Sequence, residues 1–201
     1  MNTERTPINS NLPVTLTEAK ARARVDGSEE DAGITDMIRE AAADIEAATG
    51  LALLSTSVTH TTADRPGQVI PLPVGPVASG AVATVHLIEL DGTLTPVASG
   101  FWLEGGRYPR LHFTTTPGGR LRITYTAGYG ASAASVPRDL ALAICEQAVR
   151  LYEQRGGVMD KGPALSAQTA RVIARYRRIA IRACAIWSQC PRFHSWERPA
   201  V

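Results

Sequence analysis

The sequence predicts an α+β protein: N- and C-terminal helices form a bundle, and a small antiparallel β-sheet or sandwich is inserted between them. Apolar residues recur at three- and four-residue spacing toward both ends of the chain, and the period switches to two between about Ser55 and Gly130. At 201 residues, 44% hydrophobic and 20% charged, the chain can bury roughly 70% of its unfolded surface without disulfides or a structural metal. The expected segments are 12–54 for the N-terminal helices, 55–130 for the inserted β domain, 135–157 for the third bundle helix and 164–201 for a basic helix with an aromatic tail.

Thr15 and Glu18 fit a capping box that opens a short helix running to about Val25, with Asp26-Gly27 as its stop. Ser28 is placed to cap a second helix. Its stripe is Ile34, Met37, Ile38, Ala41, Ile45 and Ala48, its first turn is acidic where the helix dipole favours carboxylates, and Gly50 supplies a left-handed end. In the β region Val58, His60 and Thr62 alternate with Thr59 and Thr61. A β-branched run over 82–90 leads through Asp91-Gly92, a two-residue hairpin signal, into 93–97. A second hairpin is expected from Leu111 and Phe113 through Thr116-Pro117-Gly118-Gly119, a type II turn sequence, to Leu121, Ile123 and Tyr125. Pro137 starts a third helix striped by Leu140, Ile144, Ala148 and Leu151, with Gly156-Gly157 ending it. The last helix is expected over 166–190, closed by Pro191. At about 100° per residue, Arg171, Arg175, Arg178 and Arg182 fall on one face, opposite Val172, Ile173, Tyr176, Ile179, Ala183 and Trp187.

Few residues invite chemistry. Gly128-Tyr129-Gly130-Ala131-Ser132-Ala133 matches the spelling of a dinucleotide fingerprint, but the next helix waits until Pro137, too late for its N-terminus to meet a pyrophosphate. Gly128 and Gly130 therefore read as a strand-to-helix corner with unusual backbone angles. His60, His86, His112 and His194 are scattered without metal-ligand spacing, and no nucleophile elbow or phosphate loop is present. No catalytic residue, cofactor or metal is expected. Cys145, Cys184 and Cys190 lack CxxC spacing and read as buried thiols in a reducing compartment. No apolar stretch approaches the roughly 18 residues of a membrane span, and residues 1–11 are polar without a signal-peptide core, so no membrane partner and a cytosolic site of synthesis are expected.

Charge is divided along the chain. Residues 1–104 carry 6 basic and 14 acidic groups, a net of −8, and residues 105–201 carry 15 and 5, a net of +10. Such a chain suits head-to-tail contacts between copies, an acidic partner, or nucleic acid. The arginine face lacks the interleaved Asp or Glu that a solvated helix normally uses for i,i+4 pairing, which favours an acidic protein or phosphate partner over a purely solvated face.

Several short motifs occur in an order that resembles a known family. They are Leu16-Thr17-Glu18-Ala19-Lys20 with Arg24-Val25-Asp26; Glu29-Glu30-Asp31; Ile45-Glu46-Ala47-Ala48-Thr49-Gly50; Leu72-Pro73 with Pro76-Val77; Tyr125-Thr126-Ala127-Gly128-Tyr129-Gly130; and Val136-Pro137 leading to Leu151-Tyr152-Glu153-Gln154-Arg155. Together the motifs resemble the head-tail connector, or adaptor, proteins of tailed phages, prophages and gene transfer agents over about residues 14–157. The resemblance implies a non-enzymatic subunit of a ring, a dodecamer, that sits below the portal, extends the DNA channel and offers the tail attachment site. Its partners would be copies of itself, the portal, the next tail or stopper component, and DNA in transit; it would assemble in the cytoplasm and end at the head-tail junction of the particle. The matched region stops short of the C-terminus. For that segment the residues themselves suggest a portal-binding role for Arg171, Arg175, Arg178, Arg182, Trp187, Phe193 and Trp196, since aromatic and arginine side chains dominate binding hot spots. The loops at 64–68 and 104–110 are expected to face the next tail component. The alternatives are a sequence-independent nucleic-acid binder that uses the arginine-faced helix, and a small hydrolase using His60 or His112.

Overall fold

Two hydrophobic clusters, one between helices and one between sheets, organise the computed structural model, which describes residues 2–64, 66–154 and 165–178. In chain order the elements are β1 (Asn2–Pro7), α1 (Leu16–Ala23), α2 (Asp31–Thr49), β2 (Thr56–Thr61), β3 (Val69–Pro71), β4 (Thr84–Ile88), β5 (Leu94–Pro96), β6 (Phe101–Glu104), β7 (Arg110–Phe113), β8 (Arg120–Ala127), α3 (Arg138–Glu153) and α4 (Ala167–Tyr176). This is the α+β arrangement, helices outside and antiparallel strands between, that the periodicity predicts.

The helical cluster joins Ile34, Ile38, Ala41 and Ile45 of α2 to Leu140, Ile144 and Ala148 of α3, with Ala19 of α1 and Val172, Ile173 and Tyr176 of α4 closing it. Helices α2 and α3 bury the stripes their spacing marks out, with Met37, Ala48 and Leu151 partly buried, and α4 buries Val172, Ile173 and Tyr176, while Ile179, Ala183 and Trp187 of the expected stripe lie outside the described residues. The helix ends differ from expectation. Thr15 Oγ1 accepts from the Glu18 N–H, but the Glu18 carboxylate takes Arg138 of α3 instead of returning to the cap, so only half of a capping box forms. Helix α1 stops at Arg24, a non-glycine residue with φ of 56°, before Asp26-Gly27 is reached. Ser28 does not cap α2. Glu30 holds that position without a side-chain cap, and the start of the helix is fixed by the Asp31 carboxylate 2.5 Å from Lys20 Nζ and by the Tyr152 hydroxyl donating to Glu30. Gly50, with φ of 74°, ends α2 as expected.

The β region is a sandwich of two sheets, ordered β1-β2-β8-β4-β5 and β3-β7-β6. Strand β8 shows the alternation most plainly: Leu121, Ile123, Tyr125 and Ala127 are buried between the sheets, while Arg120, Arg122 and Thr126 face out. The expected hairpin from 111 to 125 does not form. β7 and β8 belong to different sheets, and the Thr116-Pro117-Gly118-Gly119 stretch crosses between them without the positive φ a type II turn requires. Both strands point apolar residues into the same core, which is what made them look paired. The Asp91-Gly92 hairpin does form between β4 and β5, but with three loop residues. The Gly92 N–H bonds the Glu89 carbonyl, Gly92 sits at φ of 86°, and the Glu89 N–H reaches the Thr93 carbonyl. Strand β1, a polar stretch with no expected structure, is the edge strand beside β2.

The two clusters meet at a waist built from backbone. Ala52 N–H bonds the Gly75 carbonyl at 2.7 Å, Gly128 N–H the Pro76 carbonyl at 2.8 Å, and Ser55 N–H the Gly130 carbonyl at 2.8 Å. The buried Tyr125 hydroxyl donates to the Val74 carbonyl and accepts from the Val74 N–H, and burial pushes its pKa up to about 12. Gly128 is required here. Its φ is 129°, and a Cβ on it would stand 2.4 Å from the Leu54 carbonyl oxygen. Gly130, with φ of 155°, would meet Ser135 Oγ at 2.4 Å. The corner read from the sequence is thus a close approach of backbones, followed by a single 3-10 turn at Ala133–Ser135 before α3 begins.

Gly128→Ala should lower stability in urea by about 3 kcal/mol, because positive-φ strain is joined by a clash that cannot relax against backbone. Gly80→Ala, at φ of 79° but in open space, should cost about 1 kcal/mol; equal losses would contradict the steric argument. His60 is buried, with Nδ1 2.9 Å from Thr3 Oγ1 of β1, and burial holds its pKa below the usual 6.5. The fold therefore binds fewer protons than the unfolded chain. This contribution is complete above about pH 6.5 and is lost as pH falls through the folded-state value. Melting temperature measured across this range should fall less steeply for His60→Gln than for the natural chain.

Candidate interaction surfaces

Helix α4 is held by polar groups at its start and by apolar and ionic contacts at its end. Ser166 Oγ caps it by accepting from the Thr169 N–H at 3.0 Å, the Ser166 N–H reaches Gln147 Oε1 of α3 at 3.3 Å, and Thr169 Oγ1 donates to the Ala143 carbonyl at 3.2 Å. Over its last turn and a half, Val172, Ile173 and Tyr176 are buried against α2 and α3. The Tyr176 hydroxyl donates to Asp139 Oδ1 at 2.9 Å. Burial, followed by this contact with a carboxylate, raises its pKa to about 12. The guanidinium of Arg107 lies 4.4 Å from the centre of the Tyr176 ring.

The expected arginine face is divided by this arrangement. Helix α4 ends at Tyr176, and Arg177, at φ of −63° and ψ of 132°, is already extended. Arg178 therefore leaves the helical register on which its alignment with Arg171 and Arg175 was reckoned. Arg178 Nη1 donates to the Leu72 carbonyl at 2.7 Å, and its guanidinium lies 5.6 Å from the Tyr108 ring. Arg175 Nη1 donates to Asp139 Oδ2 at 3.3 Å. Arg171 is exposed and makes no ion pair among the described residues. Arg182, Trp187, Phe193 and Trp196 lie outside the described residues, as do Cys184, Cys190 and the expected helix end at Pro191. The 104–110 loop is not remote from this segment: Arg107 and Tyr108 contact it directly.

The remaining candidates are placed apart. His112 Nε2 stands 2.8 Å from Glu104 Oε2 and stacks on Trp102, while His60 bonds Thr3; nothing brings the two imidazoles to one cleft. Among the described residues no three His, Cys, Asp or Glu side chains gather as metal ligands, and no helix is long and apolar enough to cross a membrane. Cys145 is buried, and desolvation raises its thiol to about 11, so it stays protonated and unreactive. An open groove of about 620 Å³ runs between residues 7–13, α2 and Leu54 and contains Glu46. Burial raises the Glu46 pKa, although its Oε1 accepts from the Leu53 N–H at 2.7 Å. The aromatic sheet surface carrying Trp102 escaped the sequence reading; its only signal is the alternation of Trp102 and Glu104 against Phe101 and Leu103.

No family profile and no curated protein matches the chain. Solved structures do. A chain from "Neck of empty GTA particle computed with C6 symmetry" is 30% identical, with a TM-score of 0.76 over 91% of this chain and 98% of that one. A chain from "Virion of native gene transfer agent (GTA) particle" is 29% identical, with a TM-score of 0.72 over 89% and 97%. A chain from "Neck of native GTA particle computed with C12 symmetry" is 31% identical, with a TM-score of 0.67 over 90% and 98%. Both motif order and fold thus lead to structural chains of a particle neck, and the chain belongs to the head-tail connector family of gene transfer agents.

Proposed function

We propose that copies of this chain form a ring, a dodecamer, directly beneath the portal, extend the channel through which DNA passes, and present the attachment site for the next tail or stopper component. The observation that carries this reading is the match, at 30% identity, to 98% of a chain in a symmetric neck. Assembly takes place in the cytoplasm and the mature ring resides in the particle. The work is done by shape and contact, with no bond made or broken by its side chains.

Portal docking belongs to the C-terminal segment, through Arg171, Arg182, Trp187, Phe193 and Trp196. Arg175 and Arg178 contribute by fixing the end of α4 and the residues just after it, since Asp139 and the Leu72 carbonyl already engage them. The rival reading, a nucleic-acid binder using the arginine face, is weakened by the same contacts. A guanidinium committed to its own fold releases fewer counterions on meeting phosphate. A conduit lined with free arginines would also grip the DNA it must let pass. For the binder reading, duplex affinity would have to fall steeply with salt, with a slope of several phosphates.

Removing the residues after Pro191, or changing Trp196 to Ala, should leave the melting temperature of the isolated chain unchanged and abolish its capture by portal-bearing heads; capture at normal strength would contradict the docking assignment. Among the arginines, Arg178→Ala should cost about 1–2 kcal/mol of stability, as expected for loss of a charged hydrogen bond. Arg171→Glu should stay within about 0.5 kcal/mol of the natural chain while weakening portal capture.

A further inference from the structure

The outer face of the three-stranded sheet carries an ordered, exposed aromatic row. Cross-strand register places Val69, His112 and Trp102 in one row over β3, β7 and β6, and Pro71, Arg110 and Glu104 in the next. Trp102 is 58% exposed and Val69 48%. The Trp102 and His112 rings stack at 4.1 Å and 4°, and His112 is held from its other side by Glu104 at 2.8 Å. That last contact has a consequence for Arg110. Glu104 lies directly across from it and would be its natural cross-strand partner, but His112 takes the carboxylate, and Arg110 is left exposed with no ion pair among the described residues. A single exposed apolar residue needs no explanation. Here a row of Val69, the paired His112 and Trp102, about two strand spacings or roughly 10 Å wide, sits on paired strands beside a guanidinium with no ion pair among the described residues. The indole is already oriented by its stack, so docking it costs little side-chain entropy.

A partner for this face must bring carboxylates and a shallow surface on which an indole can lie flat. The solvent-facing side of α2 has both. Glu40, Ala43, Asp44 and Ala47 follow one another at helical spacing, and neither Glu40 nor Asp44 has an ion pair among the described residues. A closed ring is built from heterologous contacts, so every copy must carry two unlike, complementary patches. We propose that the Val69, Trp102, Arg110 and His112 face of one copy packs on the Glu40, Ala43, Asp44 and Ala47 face of α2 in the next copy, and that this contact closes the ring. Complementary charge fixes the register of the contact, and the indole supplies its apolar anchor. The inference rests on the ring reading above and adds the two faces that meet.

The test uses full-length chain in assembled particles. Arg110→Cys and Asp44→Cys are combined in a Cys184→Ser, Cys190→Ser background, with Cys145 left in place because it is buried and protonated, and a short bis-maleimide is added. Denaturing gels should show a ladder of covalent multimers for the double-cysteine chain and only monomer for either single one. Necks that contain the chain but give no ladder would overturn the proposal and leave the connector reading intact. Necks without the natural chain would overturn both. In parallel, Arg110→Glu should reduce complete necks about tenfold, and adding Asp44→Arg should restore them; failure of the second change to restore what the first removes counts against the contact. Trp102→Ala should keep its melting temperature and lose the ring. Intact rings that have lost only the next neck component, or only affinity for duplex DNA, would reassign the face to that partner and overturn the contact between copies.

Discussion

Backbone packed on backbone at the waist is the constraint on which the rest of this molecule depends. The Gly128 Cα rests against the Leu54 carbonyl with no space for a side chain, and the Tyr125 hydroxyl satisfies both the N–H and the carbonyl of Val74. The Gly128–Leu54 approach and the Ser55–Gly130 backbone bond fasten the helical cluster to the sandwich through groups that have no rotamer to change, while the Tyr125 bonds brace the sandwich side, so surfaces on the two parts keep one relative position. The ring role proposed above depends on that property, because each copy must present its two contact faces at one fixed angle. Small rotations between its halves, repeated around a closed ring, would prevent closure.

Much of the fold was legible in the sequence because it follows from period and from special residues. The stripes of α2 and α3, the inward set Leu121, Ile123 and Tyr125, the left-handed Gly50 and the corner at Gly128 and Gly130 are each dictated by local chemistry. What escaped was non-local. Strand β1 is polar on both faces and owes its structure to hydrogen bonds with β2, which no periodicity in residues 2–7 announces. The pairing of β7 with β3 and β6 instead of β8 depends on which sheet completes the core, and alternation alone gives the face of a strand but never its neighbour. Capping changed where a distant group intervened: Arg138 drew Glu18 away from its cap, although α1 still begins after Thr15.

The candidate site shows the same division. Counting arginines at helical spacing identified a segment rich in cations, but a helical projection assumes that the helix continues, and Arg177 turns away. The projection also cannot show intramolecular partners. Asp139 and the Leu72 carbonyl come from positions far off in sequence, and they engage two of the expected surface charges, Arg178 against the sandwich and Arg175 while it stays exposed. Conversely, the free charge of Arg110 arises because His112 has taken Glu104, a competition visible only once register is known.

Connector membership and the waist-fixed shape together make one central claim: the particle needs this chain as a physical joint. Imaging particles made without it tests that claim most directly. The account predicts DNA-filled heads that lack tails, with the portal vertex otherwise normal. Particles with tails attached at the usual frequency would contradict it.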